Sequence, residues 1–195
     1  MKKVSTEFPE QEPMDPRVRR TRQLLGDAFR SLMAERQFAQ ISVQDITERA
    51  TVNRATFYAH YTSKEELGAS VIQEDLLCAL ADKFSACPTF SAEDLTKMAV
   101  AIFEFVGKLS PQCAIHAAQL HSNVGQALQQ GIYELVLGWL SRSSGYKQRF
   151  PGTPKETIAT VLAWGLYGGA LKWSSSTRRP PAEQACQEIV AMFFR

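Results

Sequence analysis

The fold of this chain is decided by a short stretch near its start, Ile41–Leu67, which reads ISVQDITERATVNRATFYAHYTSKEEL. Ser42 has a side-chain acceptor in position to cap a helix, and the apolar spacing predicts that helix over about 43–48. The following residues, 50–52, are too few to form anything other than a turn. The sequence therefore predicts a short helix followed by a tight turn.

A second short helix is predicted after this turn. Asn53 is its expected N-cap, and the helix runs to about His60. Phe57 and Tyr61 lie four residues apart and are expected to point inward. The opposite face is expected to present Arg54, Ala55 and Tyr58. Since arginine can donate two hydrogen bonds to guanine and alanine permits close approach, the pattern is that of a helix-turn-helix that enters the major groove of DNA.

These residues resemble the DNA-binding domain of the TetR/AcrR family of one-component transcriptional regulators. The resemblance is carried by Ile46, Ala50, the run Asn53–Tyr58, His60, Lys64 and Leu67. With the preceding helix, it covers about residues 17–77, roughly the first third of the chain. It implies an all-α homodimeric regulator that binds a double-stranded, palindromic DNA operator.

The turn departs from the family pattern at one residue. The family usually has glycine where this chain has Thr51. If the backbone needs a positive φ at that position, a β-branched residue is strained by about 1–2 kcal/mol. We therefore expect either an adjusted turn or some loss of stability.

The resemblance also implies which residues contact DNA. The base-edge candidates are Arg54, Ala55 and Tyr58. The phosphate candidates are Ser42, Thr56, His60 and Lys64. Arg17 and Arg19, in the first turns of the preceding helix, are further phosphate candidates. They form a basic cluster with Arg20 and Arg22, and the partial positive charge of the helix N-terminus also favours a phosphate there.

The charge of the chain is concentrated in the same region. Residues 15–64 contain nine basic and five acidic residues, whereas the whole chain of 195 residues has a net charge of only +2. A positive helix-turn-helix domain is what a polyanionic partner requires. Residues 1–15 are polar and broken by prolines, so we expect a disordered tail. No signal peptide or membrane partner is predicted, and the expected location is cytoplasmic.

We expect an all-α fold, because no stretch shows the alternating pattern of a strand. A three-helix helix-turn-helix domain is predicted over 16–62, and a helical ligand-binding and dimerisation domain over 63–195. Asp15 and Pro16 are typical of a helix start, and this first helix is predicted to run to about Arg36.

In the second domain, caps and prolines mark the helix boundaries. Ser63 and Ser91 are predicted to begin helices, and a further helix is predicted to end near Arg142. We expect a loop over 143–152. The run Thr153–Glu156 reads as a capping box with proline at the first helical position, which predicts the start of the next helix.

The last two predicted helices form a distinct pair. The helix over 158–173 is apolar nearly all round and contains three glycines, which favours close approach by another helix. The final helix has one apolar face. The resemblance implies that these helices form a four-helix dimer interface, whereas the residues alone also fit the core of a monomer. The interface candidates are Trp164, Gly165, Gly168, Ile189 and Phe193.

The second domain also has enough aromatic residues for an apolar pocket, although such residues equally build ordinary cores. The candidate ligand contacts are Met98, Phe103 and Trp139. The resemblance implies a repressor that a small molecule releases from its operator. Such release requires the small molecule to bind the two conformations of the protein with unequal affinity. The alternative is a protein-interaction or redox-sensing regulator without a small-molecule inducer.

An enzyme and an RNA-binding module are the other function classes. Cys113, His116 and His121 provide no identifiable orienting group or oxyanion donor, and their spacing matches no zinc pattern. We therefore predict no catalytic residue, no metal and no cofactor. Four cysteines occur without a C-x-x-C motif and are interpreted as small buried apolar residues. They are Cys78, Cys87, Cys113 and Cys186.

Overall fold

The computed structural model describes residues 15–84, 89–109, 123–143 and 145–194, and for residues 81–84 the backbone alone. The regular elements within these ranges are helices and no strand is present, so the predicted all-α fold is confirmed. The chain divides into two compact units between Leu67 and Gly68. The border of the functional domains, placed between residues 62 and 63, stays a prediction.

The first helix of the N-terminal unit is α1, Pro16–Glu35. The backbone N–H of Arg17 donates to Asp15 Oδ1 at 2.8 Å, and proline occupies the first helical position. The aspartate satisfies one of the free N–H groups at the helix start, and proline at that position loses no hydrogen bond. The predicted start is confirmed.

Two short helices follow, α2 (Val43–Ala50) and α3 (Arg54–Tyr58). At the start of α2, the N–H of Asp45 donates to Ser42 Oγ at 3.1 Å and the N–H of Ser42 donates to Asp45 Oδ2 at 2.8 Å. Asn53 Oδ1 caps α3 by accepting a backbone N–H at 2.7 Å. Both predicted caps are confirmed, while α2 is longer and α3 shorter than expected by two residues each.

The core of this unit combines side chains from all three helices and from the segments around them. Each of these side chains is at most 4% exposed: Leu25, Phe29, Leu32, Ile41, Ile46, Phe57, Tyr61 and Leu67. The three from α1 recur at the spacing of one helix face. Because this core holds α2 and α3 from the inside, their polar faces remain at the surface.

The other helices are α4 (Lys64–Phe84), which begins in the N-terminal unit, then α5 (Ala92–Lys108), α6 (Asn123–Arg142), α7 (Tyr146–Arg149), α8 (Lys155–Ser174) and α9 (Ala182–Phe194). The expected loop over 143–152 contains α7, so that prediction was wrong. Gly145 precedes α7 with φ +98°, and its carbonyl accepts two N–H groups of the helix at 3.2 and 3.3 Å. A left-handed backbone of this kind is readily adopted by glycine. Among the described helices, none combines the length and the apolar character needed to cross a membrane.

The start of α8 also differs from the prediction. Pro154 precedes the helix instead of occupying its first position, and no side chain caps it. The N–H groups of Thr157 and Ile158 donate to the Pro154 carbonyl at 3.1 and 3.2 Å. The predicted capping box was wrong, because the helix begins one residue later and leaves Thr153 too far from its first turn.

In the second unit, α8 packs against α5, α6 and α9. Its buried side includes several alanines with no exposed surface, which bring the helix axes close together. At Gly169, a Cβ atom would collide with Ile189 Cδ1 of α9 and lie 3.0 Å from Phe103 Cζ of α5. The close approach predicted from the glycines is therefore found at Gly169.

Two of the four cysteines lie among the described residues. Cys186 is buried, and burial raises the pKa of its thiol to about 12, so its interpretation as a buried apolar residue is confirmed. Cys78 is exposed on α4, and the same interpretation was wrong for it. Leu76 and Leu80, on either side of it in sequence, take the buried positions of this helix instead. Cys87 and Cys113 lie outside the described residues.

Candidate nucleic-acid interface and ligand site

The two faces of α3 have the predicted orientation. Phe57 is fully buried and Tyr61 is 3% exposed, and the two rings contact each other at 6.0 Å between centroids. Arg54 and Ala55 are exposed, and Tyr58 is 51% exposed with its ring edge-on to Phe57. The candidate base contacts therefore form one outward surface that is supported from below by aromatic packing.

The turn between α2 and α3 has the backbone conformation that disfavours its residue. Thr51 has φ +56° and ψ +42°, and no other non-glycine residue among those described has a positive φ. Its N–H donates to the Glu48 carbonyl at 3.2 Å, and the N–H of Val52 donates to the Thr47 carbonyl at 3.0 Å. The turn thus keeps the left-handed conformation that ends many helices, and threonine bears the strain.

Two arginines of the N-terminal unit are used within the fold. The Arg49 guanidinium makes a two-pronged contact with the Glu35 carboxylate, at 2.7 and 2.9 Å, which joins α2 to α1. That hydrogen bonding holds the pKa of Glu35 below its ordinary value. Arg36 Nη1 contacts Asp45 Oδ1 at 3.1 Å. Hydrogen bonds from Ser42, together with this arginine, lower the pKa of Asp45 to about 2.

Four other arginines of the same unit differ from this pair. The side chains of Arg17, Arg19, Arg20 and Arg54 are exposed and have no hydrogen-bond or ion-pair partner in the described part of the chain. Three of them lie in the first turns of α1 and one begins α3. Uncompensated guanidinium groups at helix starts are well suited to phosphate and base oxygens.

A fifth arginine connects these two places. The Arg22 guanidinium lies over the Tyr61 ring, 5.5 Å from its centroid. This contact brings the early part of α1 next to the residues that follow α3. The basic cluster and the exposed face of α3 therefore belong to neighbouring parts of the same unit.

The ammonium group of Lys64 makes several contacts within the fold. Its Nζ donates to the carbonyl oxygens of Phe38 at 3.0 Å and Ile41 at 2.6 Å, and it lies 4.5 Å from the Phe38 ring centroid. Phe38 belongs to a short 3₁₀ turn, Phe38–Gln40, between α1 and α2. The ammonium group thus joins the start of α4 to this turn, and its role toward phosphate stays a prediction.

The remaining phosphate candidates have structural tasks of their own. Ser42 caps α2, and the Thr56 hydroxyl donates to Asn53 Oδ1 at 2.9 Å. His60 is partly exposed in the turn after α3. These positions remain predicted phosphate contacts.

The ligand candidates all lie inside the second unit. Met98 and Trp139 are fully buried and Phe103 is 1% exposed. They belong to one apolar cluster built around α5, α6 and α8. Within it, the indole N–H of Trp139 has no hydrogen-bond partner in the described part of the structure. Their role in ligand binding stays a prediction.

The interface candidates occupy two different environments. Trp164 is 58% exposed, and a Cβ at Gly165 or Gly168 would meet open space. Ile189 and Phe193 instead pack in part on the core of their own unit. Two apolar neighbours of Trp164 on the outer side of α8 were not among the predicted interface residues, although the same helical spacing points to them. They are Val161, 54% exposed, and Leu171, 37% exposed.

The residues considered for catalysis and zinc binding, Cys113, His116 and His121, lie outside the described residues. Within the described ranges, no three acidic, histidine or cysteine side chains form a group that could hold a metal ion.

Residues 26–71 match the sequence model of the family described as bacterial regulatory proteins, tetR family. Over 73 residues, 37% of this chain, the sequence is 45% identical to the uncharacterized HTH-type transcriptional regulator YxbF of Bacillus subtilis, and the match covers 19% of that protein. Over 55 residues, 28% of this chain, it is 36% identical to the dhaKLM operon transcriptional activator DhaS of Lactococcus lactis, and the match covers 29% of that protein. The matches thus span less than a third of either relative.

The likeness in fold extends over most of the chain. The crystal structure of the transcriptional regulator FadR from Bacillus subtilis in complex with stearoyl-CoA superimposes with a TM-score of 0.55 at 16% identity. The superposition covers 88% of this chain and 96% of that chain. At this identity, the likeness concerns the fold alone.

Proposed function

We propose that this chain, whose residues 26–71 match the tetR family of bacterial regulatory proteins, is a transcriptional regulator that binds a double-stranded DNA operator in a sequence-specific manner. The observation that carries this proposal is the outer face of α3. Arg54, Ala55 and Tyr58 stand on a buried aromatic base and follow a tight turn. A short helix that is fixed from below and polar on top fits the major groove.

In this proposal, the base edges are read by Arg54, Ala55 and Tyr58. Arg17 and Arg19 contact phosphates from the start of α1, where they have no acidic partner among the described residues. Ser42, Thr56, His60 and Lys64 add weaker phosphate contacts around the turn. Lys64 also positions the start of α4 through its two carbonyl contacts.

The proposal includes a homodimer. The outer side of α8 exposes a large apolar side chain, Trp164, beside two positions without side chains, Gly165 and Gly168. A bulky group next to open backbone is complementary to a second copy related by two-fold symmetry. Two copies also supply the two recognition helices that a palindromic operator requires.

Regulation by a small molecule is the third part of the proposal. FadR of Bacillus subtilis was crystallised with stearoyl-CoA, and the related fold here has its own buried cluster around Met98, Phe103 and Trp139. We expect repression that ends when the ligand binds. Since DhaS of Lactococcus lactis is an activator, the sign of regulation needs its own test, a reporter gene behind the operator with and without the protein.

DNA binding is tested by fluorescence anisotropy with a labelled duplex from the region upstream of the protein's own coding sequence. A scrambled duplex of equal length and composition is the control, and RNA of the same sequence is a competitor. We expect a preference of roughly 10³-fold or more for the specific duplex, and an affinity that falls linearly on a log–log plot against salt. Equal affinity for the specific and scrambled duplexes, or tighter binding of the RNA, contradicts the proposal.

A further inference from the structure

The indole of Trp139 is the largest fully buried side chain of the molecule's described part, and its N–H lacks an acceptor there. A buried donor without a partner costs free energy, and native proteins rarely keep one without a reason. The carbonyl of the same residue is satisfied, because the Ser143 hydroxyl donates to it at 2.7 Å. The indole N–H is therefore the unsatisfied polar group of this residue.

The other two tryptophans of the chain provide the contrast. Trp173 Nε1 donates to the Pro180 carbonyl at 2.8 Å. Trp164 is 58% exposed, so its N–H is accessible to water. Trp139 is thus the one tryptophan whose indole N–H is both buried and without an acceptor in the described part of the chain.

One phenylalanine, Phe90, contacts this indole directly, and two more, Phe150 and Phe194, pack on Phe90. The Phe90 ring lies 5.0 Å from the Trp139 ring, stacks on Phe194 at 5.0 Å and meets Phe150 edge-on at 5.8 Å. All three are partly exposed, whereas Trp139 is not. They pack against the hydrophobic core cluster that contains Trp139. A molecule bound against these rings therefore meets aromatic surfaces. The charged group shown beside them is Arg149, whose guanidinium lies 5.6 Å from the Phe194 ring centroid and whose Nε donates to the Phe193 carbonyl at 2.8 Å.

We propose that Trp139 Nε1–H is the polar recognition point for an uncharged, largely aromatic ligand that carries one hydrogen-bond acceptor, such as a carbonyl oxygen. The phenyl rings of Phe90, Phe150 and Phe194 supply the apolar contact surface. We expect a neutral acceptor, because the indole N–H carries no charge and burying an ionised group beside it costs far more free energy than burying a carbonyl. The assignment of this ligand as an effector rests on the proposed function.

The test uses the full-length protein with ¹⁵N-labelled tryptophan, whose three indole N–H signals are assigned by Trp→Phe substitutions. In the free protein, we expect the Trp139 signal upfield of the hydrogen-bonded Trp173 signal. The probes are acetophenone, its hydrocarbon analogue α-methylstyrene, and benzoate. We expect acetophenone to move the Trp139 signal downfield and to bind about tenfold more tightly than α-methylstyrene, as one hydrogen bond provides. Benzoate is expected to bind more weakly than acetophenone.

Several results overturn this inference. They are a Trp139 signal already at the position of a hydrogen-bonded indole in the free protein, no shift with acetophenone up to its solubility limit, and equal affinity for acetophenone and α-methylstyrene. The Trp139→Phe variant should lose the preference for acetophenone, and the Trp173→Phe variant should keep it. If Trp139→Phe does not fold, the three probes on the wild-type protein decide the matter.

The outcome is separable from that of the DNA-binding proposal. Operator affinity is measured without any probe, and probe binding is measured without DNA. If the operator is bound and acetophenone leaves Trp139 unaffected, the ligand inference alone fails. If acetophenone binds as expected and no specific duplex is bound, the regulator proposal fails and the site at Trp139 stands.

Discussion

The helices α3 and α8 both bury one face and expose another, but the exposed faces have opposite chemistry. On α3 the outer residues include Arg54, which is charged and has no partner among the described residues. On α8 they are apolar and include Trp164 and Val161, each more than half exposed. A charged face with no counter-charge suits a polyanion, whereas an apolar face of this size suits another protein surface. The same helical geometry thus supports two different proposed partners, DNA and a second copy of the chain.

The largest expected effect concerns the apolar face. Trp164→Glu places a charge in the proposed dimer contact, and we expect the dimer to weaken by about 2 kcal/mol or more, or at least roughly 30-fold. Operator affinity should fall with it, because two half-sites must be occupied together. Analytical ultracentrifugation measures the dimer. Thr177→Glu, an exposed substitution with the same charge change, is the control and should remain dimeric. If Trp164→Glu leaves the dimer dissociation constant unchanged, α8 is not part of the interface.

The charged face of α3 gives the next effect. Arg54→Ala should weaken operator binding by about 1–3 kcal/mol and relax the preference at one base pair, since a guanine loses its bidentate partner. Arg19→Ala should weaken binding to all sequences and lower the salt slope by about one. Arg178→Ala, an exposed arginine of the second unit, is the matched control and should bind normally. A uniform loss over all sequences in Arg54→Ala would reassign that residue to phosphate contact.

Two neighbouring glycines lie on different sides of α8. Gly169 faces Ile189 and Phe103, and Gly168 faces open space. Gly169→Ala should lower the free energy of unfolding by about 1–3 kcal/mol, because the new methyl group collides with Ile189 and crowds Phe103. Gly168→Ala meets open space within the chain and should gain up to about 1 kcal/mol of helix propensity. Urea denaturation at a protein concentration below the dimer dissociation constant compares the two variants. If Gly168→Ala instead weakens the dimer, a partner backbone approaches this glycine closely.

The sequence was informative where a local pattern determines the structure. Ser42, Asn53 and Asp15 cap helices as predicted, because capping depends on a few neighbouring residues. The sequence was less informative where contacts between residues far apart in the chain determine the structure. The orphan N–H of Trp139 arises from packing among several helices, and the exposure of Cys78 depends on which face of α4 the core selects. The predicted start of α8 was wrong for a local reason. The helix begins one residue later than expected, and this shift removes the capping box.

The turn that precedes α3 provides a smaller effect. Thr51→Gly should raise the free energy of unfolding of the N-terminal unit by about 1 kcal/mol, because glycine adopts a left-handed backbone without the Cβ clash. Thermal unfolding followed by circular dichroism measures the change, and Thr177→Gly in the loop before α9 is the control. Operator affinity should be unchanged if the turn only connects the helices. A loss of affinity without a loss of stability would mean that threonine itself contributes to the interface.

The smallest expected effect concerns acid. In the fold the pKa of Asp45 is about 2, below its ordinary value of 3.8, chiefly because Ser42 donates hydrogen bonds to the carboxylate. A lowered pKa means that the ionised carboxylate stabilises the folded state above pH 4, and that this contribution is lost as the pH falls from about 4 toward 2. The wild type should therefore lose more of its thermal stability over this range than Asp45→Asn, in which nothing titrates at this position. Glu48→Gln, on the exposed side of the same helix, is the control and should follow the wild type. If Asp45→Asn and the wild type lose stability in parallel, the capping box of α2 does not depend on the charge of Asp45, and the start of this helix is fixed by its packing on α1 instead.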